Sequence, residues 1–259
     1  MTNGAGYARV NGLEMYYETH GSGQPLVVLP GAYMTVELMG ELVAALAATR
    51  QVIAVEFQGH GHTADIDRPF SYEQFADDIA ALLPEVGVER ADVYGYSLGG
   101  GVSLQLGLRH PARVRKLVLA SASYSSDGLY PEVLGGIANI APEMFDGTPW
   151  RDAYDRTAPD PELFPTLVEK LKQLDMTPFD WSIEQLSAPA LVLIGDSDGI
   201  RLEHAVDMFR RLGGGVFGDL ASELPRSQLA ILPGTTHVGM LERADWISAM
   251  VMAFLRAEN

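Results

Sequence analysis

A serine set between small residues, Gly95-Tyr96-Ser97-Leu98-Gly99, is the group in this chain best placed to do chemistry. An alkyl hydroxyl is a weak nucleophile at neutral pH. It attacks a carbonyl carbon only when a base takes its proton and an acid holds that base in place. Two later turns carry the missing types: Gly195-Asp196-Ser197-Asp198 supplies carboxylates, and Pro233-Gly234-Thr235-Thr236-His237 supplies an imidazole. Nucleophile, acid and base thus follow one another along the chain, with Asp196 and Asp198 both candidates for the acid.

Other reactive types are poorly assembled. His60 and His62 lie in one turn with no third ligand nearby, so they are read as structural and no metal site is expected. His20, His110 and His204 have no catalytic companions and are read as surface or packing residues. Glu56 and Asp127 also follow strands, but at the wrong places in the chain order. The absence of cysteine excludes a catalytic thiol, a disulfide framework and thiolate metal ligands.

The elements that must position these groups can be read from apolar runs and turn residues. Strand-like segments occupy residues 7–10 and 13–19, joined by Asn11-Gly12, a pair suited to the positive φ angles of a tight hairpin. Residues 26–29 form a continuous apolar run, the pattern of a strand covered on both faces, and further strand-like segments fall at residues 51–55, 91–94, 114–120, 190–194 and 228–232. Helical patterns fall between them, at residues 36–48, 98–109, 202–212 and 244–255. Ser71 with Gln74 opens another helix, running to about residue 83, through a capping box.

The rhythm stops over residues 123–187, where seven prolines leave room only for short helices. An alternation interrupted once predicts an α/β fold: a mostly parallel, doubly wound sheet with helices on both faces and an inserted helical cap. The expected organisation is a core of residues 1–122 and 188–259, with residues 123–187 as the cap. Ser97 falls where a strand meets a helix, and Asp196, Asp198 and His237 fall just past later strands. All therefore lie at the carboxyl edge of the sheet, where open α/β folds bind ligands.

These motifs, in this order, resemble the α/β-hydrolase family of the type with a cap after the sixth core strand. The resemblance covers nearly the whole chain. It implies Ser97 as nucleophile on a sharp strand–helix turn and His237 as base. The acid usually ends a G-x-x-D turn, which gives Asp198 the role over Asp196. An oxyanion hole is implied at the backbone amides of Leu98 and Ala32.

This sequence departs from the family in several places. It has Pro30-Gly31-Ala32 where members commonly carry His-Gly. Glu56, Gln58 and Thr63 differ from the usual residues of the D-x-R-G-x-G-x-S turn. The gap from Asp198 to His237 is long for the family, and residues 213–225 read as the insertion that lengthens it.

The implied activity is hydrolysis of a carboxylic ester or lactone through an acyl-enzyme, with no metal or organic cofactor. Other chemistry of the same triad (perhydrolysis, C–C bond or amide hydrolysis) stays open, as does a ligand-binding receptor on the same scaffold. Trp150 and Trp181, in the aromatic-rich inserted segment, and Tyr96, next to the serine, are candidates for contact with the substrate. That segment has four basic against twelve acidic residues, so a polyanionic substrate is not expected.

Composition bounds the rest. The 259 residues are 47% hydrophobic, enough for one large core, and the formal charge of −16 opposes binding to nucleic acid or anionic lipid. No apolar run approaches the length of a membrane span and no leader pattern is visible, so a cytoplasmic location is expected.

Overall fold

The computed structural model describes residues 2–220 and 223–257. Its strands are β1 (Thr2–Val10), β2 (Leu13–Gly21), β3 (Pro25–Leu29), β4 (Gln51–Val55), β5 (Ala91–Tyr96), β6 (Val114–Ala120), β7 (Ala190–Ser197) and β8 (Gln228–Thr236). They form a single sheet in the order β1-β2-β4-β3-β5-β6-β7-β8. From β4 across to β8 every pairing is parallel, while β1 and β2 add an antiparallel edge. The β1–β2 hairpin turns on Asn11 and Gly12 with φ of 46° and 86°, the conformation that this residue pair favours.

Because successive side chains leave opposite faces of a strand, each central strand feeds two cores. Val27, Leu29, Ile53, Val93 and Leu119 point to one side, where they meet α2 (Tyr72–Glu85), α3 (Leu98–Arg109) and α7 (Leu202–Arg211). Leu26, Val28, Val52, Tyr94 and Val118 point to the other, against α1 (Gly40–Ala47) and α8 (Ala244–Arg256). This is the doubly wound arrangement. Helix α2 begins as expected, with Ser71 Oγ accepting from the Gln74 amide at 3.1 Å. The Gln74 side chain does not return the bond; its amide donates to Asp78 instead.

Between β6 and β7 the chain forms α4 (Pro131–Ala138), α5 (Pro149–Thr157) and α6 (Phe164–Met176), linked by single 3₁₀ turns. The prolines start helices here more than they break them. Pro131, Pro149 and Pro165 occupy first turns, where a missing N–H costs nothing and φ is already helical. Helix α6 therefore reaches 13 residues, longer than the proline density suggests. It buries Phe164, Leu167, Val168, Leu171 and Leu174, a stripe at helical spacing that joins the first core.

Several elements outrun their apolar signatures. Strand β7 continues three residues past Ile194, and β8 four past Leu232, with Ser197 still paired to Thr236. The region 36–48 divides into a 3₁₀ turn (Val36–Met39) and α1. The loop over 213–225 contains a short 3₁₀ turn at Gly218–Leu220; residues 221 and 222 of it lie outside the described residues. Among the described residues no helix is long and apolar enough to cross a membrane.

Candidate active site

The chain reverses sharply between β5 and α3, and Ser97 is the residue that turns. Its φ is 54° and its ψ −115°, a region that costs a residue with a Cβ on the order of 1–3 kcal/mol. The surrounding structure fixes it there. The Ser97 amide donates to Ala120 O at 2.9 Å, and the Gly99 amide donates to Pro30 O at 3.0 Å. The flanking glycines are steric necessities. A Cβ on Gly95 would stand 2.1 Å from Gly99 O, and one on Gly99 would stand 2.3 Å from Leu29 O. Small residues let helix and strand close around the serine and turn its hydroxyl outward.

His237 meets that hydroxyl across the sheet edge. Its Nε2 lies 2.9 Å from Ser97 Oγ, and its Nδ1 lies 2.8 Å from Asp198 Oδ1. A carboxylate can only accept, so Nδ1 carries the proton and Nε2 is free to accept from the serine. Asp198 is buried, and burial alone would push its carboxyl up. The hydrogen bond and charge of His237, the Ser121 hydroxyl at 2.6 Å and the Ile200 amide at 3.0 Å outweigh that and hold it below the usual carboxylate range.

The two acid candidates separate clearly. Asp196 points the other way, accepting from the Gly234 and Thr235 amides at 3.0 and 3.2 Å. Those bonds draw its pKa down while it stays exposed, and they tie the β7 turn to the loop that carries His237.

Tyr96 supports that loop from beneath, its hydroxyl donating to His237 O at 2.9 Å. Its ring also forms part of a cavity wall, so this candidate contact residue positions the base as well.

Two cavities open on Ser97 and His237. The first, of about 230 Å³, is lined by Ala32, Leu98, Val133, Ile137 and Phe179, with Tyr72 and Asp175 as polar members. The amides of Ala32 and Leu98 have no protein acceptor among the described residues, and both residues border the space in front of Ser97 Oγ. The second, about 380 Å³ and more open, is lined by Tyr33, Ile140, Met144, Phe145, Trp150 and Leu241, among others.

Trp150 is therefore at a cavity wall. Trp181 is one layer back, stacked on Phe179 at 4.4 Å and edge-on to Tyr72 at 5.0 Å. Sequence reasoning passed over Ser121, Tyr72 and Asp175. Ser121 carried a local signal, since it directly follows β6 as Ser97 follows β5, but nothing local marks the other two.

The departures in the Glu56–Thr63 turn have a structural account. Buried Glu56 accepts from the amides of Val36 and His62 and from His62 Nδ1, binding two loops to the end of β4. Thr63 Oγ1 accepts from the Tyr16 amide and donates to Glu56 O. Gln58 spans to Asp65, Ile66 and Arg68. His60 is fully buried with Nδ1 on Gln58 O, and burial takes its pKa down to about 4. His204, read as packing, stacks on Tyr124 at 4.1 Å.

The fold agrees with comparison to known proteins. Residues 24–175 match the family model of the alpha/beta hydrolase fold, and the chain belongs to that family. The pimeloyl-(acyl-carrier protein) methyl ester esterase of Pectobacterium atrosepticum is 26% identical over 271 residues, covering 94% of this chain and 99% of its own. The 2-hydroxymuconate semialdehyde hydrolase of Pseudomonas sp. (strain CF600) is 32% identical over 116 residues, 43% of this chain and 41% of its own. The chain spans about half the length of several such curated relatives. Among solved structures, the enol-lactonase from Burkholderia xenovorans LB400 has a TM-score of 0.73 at 21% identity, covering 97% of this chain and 100% of that one.

Proposed function

We propose that this protein hydrolyses a carboxylic ester or lactone, with Ser97 as nucleophile, His237 as general base and acid, and Asp198 as the group that orients the imidazole. The observation that carries the reading is the continuous Ser97–His237–Asp198 hydrogen-bonded line at the junction of two largely apolar cavities.

Ser97 Oγ attacks the carbonyl carbon as its proton passes to His237 Nε2. The oxygen that gains charge is stabilised by the Leu98 and Ala32 amides, at the N-terminus of α3 where the helix dipole also favours an anion. The C–O bond to the alcohol breaks as His237 returns the proton to the leaving oxygen. Water then attacks the acyl-enzyme, gives its proton to His237 and releases the carboxylic acid and Ser97. Asp198 stays ionised throughout and stabilises the imidazolium. The likeness to a 2-hydroxymuconate semialdehyde hydrolase supports a second reading, in which the same triad cleaves a carbon–carbon bond. Residues 123–187 act in either case as the cap that covers the site and selects substrate.

The direct test combines labelling with turnover. A fluorophosphonate probe should modify Ser97, and a panel of neutral p-nitrophenyl esters and γ- and δ-lactones should contain at least one substrate. A folded protein that neither takes the label nor turns over any member is not the enzyme proposed.

The cavity walls predict how substrates are ranked. Trp150→Ala opens the second cavity, so it should weaken kcat/KM for an octanoate ester by the equivalent of about 1–3 kcal/mol while sparing an acetate ester. Trp181→Ala removes a packing layer instead, and should lower Tm and affect all chain lengths alike. Chain-length profiles and melting curves of both variants check this; the two variants exchanging phenotypes would refute the assignment.

A further inference from the structure

The first cavity contains a carboxyl that the hydrolytic chemistry does not use. Asp175 is the next-to-last residue of α6 and lines the wall beside Tyr72, Val133, Ile137 and Phe179. The fold gains little from it there. The last turn of a helix carries unpaired carbonyl oxygens and the negative end of the macrodipole, so an acidic group is unfavourable at that position. The packing of α6 rests on its apolar stripe, to which Asp175 does not belong.

Its surroundings add to the cost. Burial pushes the carboxyl up to about 6, against the pull of the Tyr72 hydroxyl and of the nearby His237. Tyr72 is itself driven well above its usual range, first by burial and then by Asp175, so its hydroxyl stays protonated. Among the described residues, neither cavity at Ser97 has a lysine or arginine in its lining. A carboxylate that destabilises its own helix, in a cavity without a fixed counter-charge, calls for a partner that arrives with the ligand.

We propose that Asp175 sets the specificity of this cavity: it accepts a hydrogen bond from a hydroxyl or ammonium group on the substrate arm that enters there, and excludes arms ending in a carboxylate. A donor arm completes the hydrogen bonding of Asp175, and a cationic arm also neutralises it. An anionic arm would meet a like charge at short range in a poorly solvated space. This inference deepens the hydrolase reading and rests on it for the role of Ser97, but the preference of the cavity can be measured without turnover.

The experiment is a ligand-observed NMR titration of Ser97→Ala protein at pH 7.5 with hexylammonium, hexanol and hexanoate. It is repeated in the Asp175→Asn and Asp175→Ala backgrounds. Hexylammonium should bind roughly 10- to 100-fold more tightly than hexanoate, with hexanol between, as expected for a charged hydrogen bond. Both substitutions should erase most of that difference and leave Tm equal or higher, because the carboxyl opposes folding. A residue placed there for structure would lower Tm and leave the ligand order unchanged. Equal affinities in the parent, or a preference that survives both substitutions, overturns the proposal. If the Asp175-dependent order is present but no ester or lactone is cleaved by the unmutated protein, the hydrolase reading fails alone. If neutral esters are cleaved but the order is absent, this inference fails alone.

Discussion

Ser97→Ala lowers kcat/KM for p-nitrophenyl butyrate on the order of 10⁴-fold or more and leaves the melting temperature almost unchanged. The size of the loss follows from the cooperative use of the triad. Without Oγ there is no acyl-enzyme, so the His237–Asp198 pair has nothing to activate, and only binding and the backbone amides still favour reaction. The small effect on stability follows from the backbone. The positive φ at Ser97 strains alanine as it strains serine, and neither the Ser97 amide bond to Ala120 nor the glycine contacts on either side involve the hydroxyl. Steady-state kinetics with scanning calorimetry checks both parts. A folded variant that keeps most of its activity would remove Ser97 from the mechanism.

Asp198→Asn should cost about 10⁴-fold in kcat, whereas Asp196→Asn should cost only a small fraction of that. An asparagine at 198 can donate to Nδ1 as well as accept from it, so it favours the tautomer with the proton on Nε2, which cannot take one from Ser97. The amide also leaves the Ser121 hydroxyl and the Ile200 amide without the charge they now solvate. Asp196 is exposed and accepts from the Gly234 and Thr235 amides through its two separate oxygens, so an asparagine keeps one of these bonds and leaves the other amide to solvent, at little cost to the triad. Comparing kcat for the two variants on one ester decides the matter, and the reverse ranking would transfer the orienting role to Asp196.

The division between what sequence and tertiary structure each decide is visible in these residues. Spacing and residue type determined the parallel sheet, since continuous apolar runs need cover on both faces and only crossover helices supply it. They also determined the serine turn, because few residue patterns allow a strand to become a helix within one residue. Strand ends were not legible: β7 and β8 continue past their apolar residues because backbone pairing does not require a buried side chain.

The G-x-x-D resemblance favoured Asp198 over Asp196, but what each carboxylate faces was beyond local pattern. Two carboxylates in one turn differ only in which way they point, and that depends on Ser121 from β6 and on the loop after β8. The same holds for Trp181, whose place behind Phe179 follows from the packing of the inserted segment onto α2 and α3. Asp175 gave no sequence signal at all. It is an ordinary acidic residue near a helix end until α6 packs beside α4 and brings it to the wall of the cavity that Ser97 and His237 share. Chain pattern specified which groups exist and at which edge they emerge; only long-range packing decided which of them face one another.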